Sequence, residues 1–365
     1  MNKMKLYLLS ALILLTVFVV SCDSDNETPD EPGFDRGTLL ENLATELILP
    51  NFEELLAHVN GLSSATNSFV ENSTTENLQD LRAFWTQAAT AHQHCSAFGF
   101  GPANLPLGAY STVLGVFPVD EPQVEANILD PDLNLAASFD RDVRGFYTVE
   151  YLIYGNGQTD EGLIADFDQD RKDYLVLVVR ELQNTIDQIV QEWRSSYLQE
   201  FISDDGTAAG SSISLLYNAF VKDYENLKNF KVELPAGLTA GQAGPDATLV
   251  EGYYSGVSKD LLVAHFESSK NIWKGRTKTG EEFTGFDDYL NAVEGGSDLV
   301  AATEDAIRNI DQAIASLPSG PLSASLEANE LQTLRDLLQA NTANFKSSMS
   351  SLLGISITFN SGDGD

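Results

Sequence analysis

The sequence is poor in cysteine and in positive charge, and both shortages narrow what the chain can do. It holds two cysteines, Cys22 just after an N-terminal apolar run and Cys95 alone in the body of the chain. If Cys22 carries a lipid, no disulfide is available within the mature chain, and a cysteine-rich zinc site is excluded. Cys95 reads as a small core residue. Lysine and arginine number 21 against 54 aspartates and glutamates, a formal net charge of −33. Nucleic acid demands a basic face for its phosphates, so that class of partner is excluded. Anionic headgroups would also repel the chain, which leaves membrane attachment to a lipid anchor. An acidic surface gathers cations mainly as diffuse counter-ions, so the charge says little about metal handling.

Three chemical motifs are missing from the sequence as well: a Gly-rich phosphate loop, an H-E-x-x-H zinc pair and a G-x-S-x-G nucleophile elbow. Histidine is scarce, with His58, His92, His94 and His265 the full set. His92 and His94 are two apart and point about 200° from each other on a helix, so they cannot chelate one ion together. Each reads as a surface or packing residue.

The N-terminus reads as targeting rather than fold. Lys3 and Lys5 precede an apolar run from Leu6 to Val20, too short for a comfortable membrane span. The run ends in Val19-Val20-Ser21-Cys22, a small residue before a cysteine, which is the pattern of a bacterial lipobox. Cleavage before Cys22 and lipidation of Cys22 are the expected processing. An ordinary signal peptide followed by a coincidental cysteine is the alternative. Residues 1–21 are thus read as a lipoprotein signal peptide and residues 22–34, acidic and containing Pro29 and Pro32, as a flexible tether. The acidic run behind Cys22 resembles the surface-export signal of lipoproteins in Bacteroidetes. The expected location is the cell envelope, lipid-anchored at the outer membrane, with display on the cell surface depending on such a host.

Beyond the tether, apolar residues recur at helical period. The pattern predicts one or two helices over 38–70, interrupted near Pro50, and another over 75–98 with Thr74 or Thr75 as N-cap. Residues 99–131 carry five prolines (Pro102, Pro106, Pro118, Pro122 and Pro131) and read as a long irregular connection. Helices follow over 139–154, 168–201, 211–230, 258–273, 285–293, 297–317 and 323–353. Strand signals are nearly absent, the short alternation Ile355–Phe359 excepted. The predicted fold is all-α, with two helical-bundle domains of long antiparallel helices, over 35–204 and 205–365.

Within the helix predicted over 139–154, Phe139, Val143, Phe146, Tyr147 and Tyr154 share a face, and Glu150 falls in the middle of it. A buried carboxylate is normally paired, hydrogen-bonded or held neutral. Glu150 is therefore either a candidate site or one half of a structural ion pair, with Arg82 or Arg144 as partner. Glu267 is a second candidate carboxylate from a later helix, against the alternative of a solvated face. Trp85, Tyr253, Tyr254 and Trp273 are either pocket lining or core.

Several stretches together resemble the imelysin-like family. Gly145-Phe146-Tyr147-Thr148-Val149-Glu150-Tyr151-Leu152 is similar to its G-x-H-x-x-E signature and the Y-L behind it. Leu81-Arg82-Ala83-Phe84-Trp85 and Phe98-Gly99-Phe100-Gly101-Pro102 look like its first helix and following turn, Asp260 to Gly275 like its later helix-and-glycine segment, and Leu353 to Asp365 like its C-terminal end in Bacteroidetes lipoproteins. The resemblance implies a secreted or surface-anchored protein of two helical bundles, with a site around the motif at their junction; Arg82, Trp85, Arg144 and Glu267 are read beside Tyr147 and Glu150 as candidate ligand-binding residues. It also implies a link to uptake of iron, or of haem, together with other iron-uptake components. Some relatives are classed as peptidases. Here the motif histidine is Tyr147, and a second family histidine is missing before Asp260. Neutral tyrosine is a poor ligand for divalent transition metals, so the Tyr147/Glu150 pair is left to hold Fe(III) as its only metal, or to hydrogen-bond an organic ligand. Three functions stand: a binding protein of iron acquisition, an imelysin-type metallopeptidase, and a scaffold that has lost its site. The lack of a ligand set for a metal-activated water favours the first.

Overall fold

The structure, a computed structural model, describes residues 33–359 apart from 107 and 131. The predicted signal peptide, Cys22 and most of the tether lie outside the described residues. The prediction of an all-α protein holds: beyond a two-residue antiparallel pair, β1 (Asn104–Leu105) with β2 (Gly108–Ala109), and a single bridge between Arg276 and Glu282, the described residues are helices and connections.

The chain enters helix α1 (Arg36–Asn42), passes through a wider π-type turn at Leu43–Ile48 and continues as α2 (Leu49–Glu71). Pro50 sits in the first turn of α2, where its missing N–H costs nothing, so it does not interrupt the rod as expected. Thr74 caps α3 (Thr75–Gln93) by accepting the Asn77 N–H. Besides the β1–β2 pair, the described residues of the proline-rich connection form a 3-10 turn at Gly101–Ala103 and the short helices α4 (Tyr110–Leu114) and α5 (Glu121–Ile128). Next come α6 (Gly145–Tyr154), α7 (Asp160–Ala165), α8 (Gln169–Glu192, capped by Asp168) and, after a second π-type turn, α9 (Leu198–Ser203). The remainder is α10 (Ser212–Asn226), which runs on through a π-type stretch at Leu227–Glu233, then α11 (Ser258–Lys274), α12 (Phe286–Asn291), α13 (Gly296–Ser316), α14 (Asn329–Ala343) and α15 (Ser350–Leu353).

Helices α2, α3, α6 and α8 pack on one another, and α10, α11, α13 and α14 form a second group. The groups meet where α3 crosses α11 and where α10 lies on the short turn after α3, all within the one compact unit that begins at Arg36. The tail Ile355–Phe359 forms no strand. Asn218 of α10 holds it, donating to the Ser356 carbonyl at 3.0 Å and accepting the Thr358 N–H at 2.7 Å.

Helix α6 begins later than the hydrophobic pattern suggests. Phe139, placed on its apolar face by periodicity, is 72% exposed in the loop before it. The reason is Gly145, whose φ of +77° is left-handed and cannot continue a helix backwards. A Cβ there would also lie 2.4 Å from the Leu114 carbonyl oxygen. Gly145 is thus needed twice, for its conformation and for close approach to α4. Gly157, also left-handed at φ +76°, has open space around it. Gly157→Ala should cost about 1–2 kcal/mol from conformational strain alone. Gly145→Ala should cost clearly more and lower the melting temperature further. Equal melting temperatures for the two variants would show that the contact with Leu114 is slack.

Candidate functional site

Nearly all of α6 is buried, from Gly145 through Ile153, because α3 and α8 cover it from the first group and the segment before α11 covers its remaining face. Such a helix has no solvent face on which to place a polar residue. Glu150 is 1% exposed.

No arginine meets it. Arg82, the expected partner, lies at the C-terminal end of α6, where its Nε donates to the Ile153 carbonyl at 2.9 Å and its Nη1 bonds Asp160 at 2.8 Å. Its guanidinium also covers the Tyr154 ring, 4.6 Å from the centroid. Arg144 is spent on the loop before α6, donating to the carbonyls of Leu135, Ser138 and Asp140. Both arginines answer a local need for orphan carbonyls or a nearby aspartate, and neither reaches Glu150. The Glu150 carboxylate instead accepts the backbone N–H of Ser255 at 2.7 Å. Desolvation pushes its pKa up to about 7, the hydrogen bonds from Ser255 hold it down in part, and Glu251 nearby raises it further.

Tyr147, one turn before Glu150, points into a second buried cluster. Its hydroxyl donates to Glu251 Oε1. Gln93, at the end of α3, donates to the same oxygen at 3.2 Å and to the Tyr147 hydroxyl at 3.4 Å. Lys231, on the π-type extension of α10, donates to Gln93 Oε1 and lies 2.7 Å from Glu251 Oε2. Burial, with the Glu251 charge beside it, holds the Tyr147 phenol well above its ordinary pKa, so it is a hydrogen-bond donor and not a phenolate.

Glu150 and Tyr147 share a narrow cleft with Phe117, Pro118, Tyr253 and Tyr254, with room for about one water molecule. Tyr254 donates to Glu121 at 2.8 Å, and Tyr151 donates to Glu125 at 2.7 Å, so α5 ties down the rim.

The other expected site residues fall elsewhere. Trp85 is core: fully buried, it donates its indole N–H to the Phe146 carbonyl at 2.8 Å and sets the height of α6 against α3. Glu267 stays on a solvated face with Lys270 at 2.6 Å and Arg276 at 3.8 Å, as the alternative had it. Trp273 is core as well, with its N–H on Glu304 at 2.8 Å. Tyr253 and Tyr254 do line the cleft. Three of the four histidines, His92, His94 and His265, are buried, and His58 lies nearer the surface beside Glu54. His92 Nδ1 lies 2.8 Å from the Tyr110 hydroxyl, and desolvation, with Lys231 nearby, lowers its pKa to about 3. His265 Nε2 meets Asp223 at 2.7 Å. Among the described residues no three His, Cys, Asp or Glu side chains are grouped to hold a metal ion.

Sequence reasoning missed Ser255, Glu251, Lys231 and Gln93. The last three are charged or amide residues at helix ends and in a turn, where periodicity carries no signal.

Comparison with known proteins bears on family and fold. The profile of the M75 peptidase family, described as imelysin, matches residues 48–349. The chain belongs to the imelysin family. Its fold is similar to that of a putative iron-regulated protein A precursor from Parabacteroides distasonis, at a TM-score of 0.72 and 18% identity over 87% of this chain and 95% of that one. It is also similar to an imelysin-like protein from Psychrobacter arcticum, at a TM-score of 0.68 and 19% identity over 89% and 97% of the two chains. At such identities the likeness is one of fold. No curated protein sequence matches the chain.

The Glu150 environment reverses the sign expected of an ion pair. Its folded pKa, about 7, lies above the ordinary 4.5, so the folded state holds the proton more tightly. The Glu150 contribution to stability should therefore be full below pH 4.5 and should be lost as pH rises through 7. Glu150→Gln should remove that decline and be more stable than wild type above pH 7, by at most roughly 3 kcal/mol. Urea unfolding of both proteins at pH 5 and pH 8 checks this; a difference that does not change with pH would contradict it.

Proposed function

We propose that this imelysin-family chain is a lipid-anchored binding protein of the cell envelope with an iron-related role, holding a small ligand at the cleft of Tyr147 and Glu150. The observation that carries the reading is Glu150 itself. A carboxyl that is almost fully buried, with no cation against it and a pKa near neutrality, destabilises a fold that an apolar residue would serve better. The cleft as it stands holds about one water, so an organic ligand would have to part the rim of Phe117, Tyr253 and Tyr254 to bring a hydrogen-bond donor to Glu150. The cleft is too narrow for a porphyrin, which favours a smaller ligand over haem. The iron-related part of the reading comes from the family and from the iron-regulated protein whose fold this chain shares. The peptidase reading is the weaker one, because a metal-activated water wants three protein ligands and an open position, and Tyr147 stands where the motif has its histidine.

Native mass spectrometry of the mature protein purified from its host should show a bound organic mass that Glu150→Gln and Tyr147→Phe release. No adduct in any of the three would sink the binding reading, and zinc-dependent peptide cleavage lost in Glu150→Gln would establish the peptidase instead. For the anchor, the wild type should partition into detergent and Cys22→Ala into the aqueous phase. Equal partitioning in a host that processes lipoproteins would remove the anchor from the proposal.

A further inference from the structure

The family resemblance implies a metal at the signature motif, and the side chains around Tyr147 do not fit one. A divalent cation there would need the Glu251 carboxylate, the nearest anionic group to the motif tyrosine. That carboxylate already has neighbours on both oxygens: Oε1 accepts from Tyr147 and Gln93, and Oε2, which accepts no hydrogen bond among the described residues, has the Lys231 ammonium 2.7 Å away. Gln93 Oε1, a further oxygen that could face a cation, also accepts from Lys231. Lys231 and Glu251 are both buried, so the pair is little screened by solvent. The Tyr147 hydroxyl is itself turned to Glu251 Oε1, to which it donates.

We infer that the Lys231 ammonium is a built-in counter-ion for Glu251, standing beside Tyr147 where a bound cation would otherwise sit, so that the helix seam is charge-balanced without a metal. The inference rests on the reading of the Tyr147/Glu150 seam as the site and sharpens it: whatever binds there is held by hydrogen bonds and aromatic contact, not as a bare ion. The physical basis is electrostatic exclusion. An ammonium fixed within contact of a carboxylate repels a second cation from the same carboxylate, and in a buried setting that repulsion is far larger than in water. Three donors on Nζ also suit an amide oxygen and a carboxylate oxygen together, the role a small ion would play.

Titration of the recombinant, metal-stripped protein with Zn(II) and Fe(II), followed by calorimetry and native mass spectrometry, tests this. The wild type should bind neither ion stoichiometrically. Lys231→Met should bind at least about tenfold more tightly than the surface control Lys222→Met, since a unit charge has been removed at contact range. The double variant Lys231→Met/Glu251→Gln should lose that binding again. Wild-type binding that Glu251→Gln abolishes would overturn the inference. So would a folded Lys231→Met that binds no better than the control. If Lys231→Met does not fold, Tyr147→His decides. With Lys231 in place, restoring the motif histidine should create no stoichiometric site, and a bound ion would overturn the inference. An organic adduct released by Glu150→Gln stands or falls independently of these titrations.

Discussion

The seam between the two helix groups carries a buried ion pair, Lys231 with Glu251, whose hydrogen bonds to Gln93 and Tyr147 reach the first group, and much of the surrounding geometry follows from it. Lys231 comes from the extension of α10, Glu251 from the segment before α11, Gln93 from the end of α3 and Tyr147 from α6, so one cluster ties four parts of the chain. A buried pair of this kind contributes little net stability, because desolvation offsets most of the attraction. Its effect is on geometry. With each of the four side chains bonded to another, a shift of α6 along α3 would strand a buried charge or a buried amide, and that is costly. The π-type stretch at Leu227–Glu233 matters in this light, since it sets which side of the α10 extension Lys231 occupies.

Polar contacts recur along the same seam. Asp223 of α10 meets His265 of α11 at 2.7 Å and accepts from Ser96 at 2.9 Å, while Asn51 and Ser268 both donate to the His94 carbonyl. The interior of each helix group, by contrast, is packed with leucine, valine and aromatic side chains. An apolar seam would let the two groups slide over each other with little change in energy, whereas a hydrogen-bonded one has a single register. Desolvation keeps His92 and His94 neutral when folded, with pKa values lowered to about 3 and about 4, so both oppose the folded state as the solution is acidified.

The helical fold was legible in the sequence because it depends on periodicity, and the long rods α2, α3, α8, α11 and α13 stand close to where the apolar spacing puts them. Where the reading failed, a local device overrode the period. Gly145 starts α6 late, Pro50 is absorbed into a first turn, and α14 starts only at Asn329 although the apolar spacing extends back to 323. The burial of Glu150 was legible for the same reason, a carboxylate in an apolar stripe. Its partner was not. Arg82 looked suitable by charge, yet the carbonyls at the end of α6 and Asp160 on α7 lie closer to it, and α7 is too short to announce itself in the sequence. A backbone N–H such as that of Ser255 carries no side-chain signature at all.

Two carboxyl groups, Glu150 and Glu251, face the same seam, and the seam supplies one ammonium. Lys231 is bound to Glu251, and Glu150 is left with a peptide N–H and the repulsion of its neighbour. Burial, with no cation to offset it and Glu251 nearby, is what raises the Glu150 pKa to about 7. The arrangement also gives the two groups separate tasks. Glu251 accepts from Tyr147 and Gln93 on Oε1 and is paired with the Lys231 ammonium at Oε2, so its charge is answered within the cluster. Glu150 lines the cleft and holds its proton loosely enough at pH 7 to donate a hydrogen bond or accept one. A ligand that donates would favour the ionised form and release the proton, and one that accepts would retain it. Under the proposed function, binding at this cleft would be linked to proton uptake or release, with the sign set by the ligand's own chemistry.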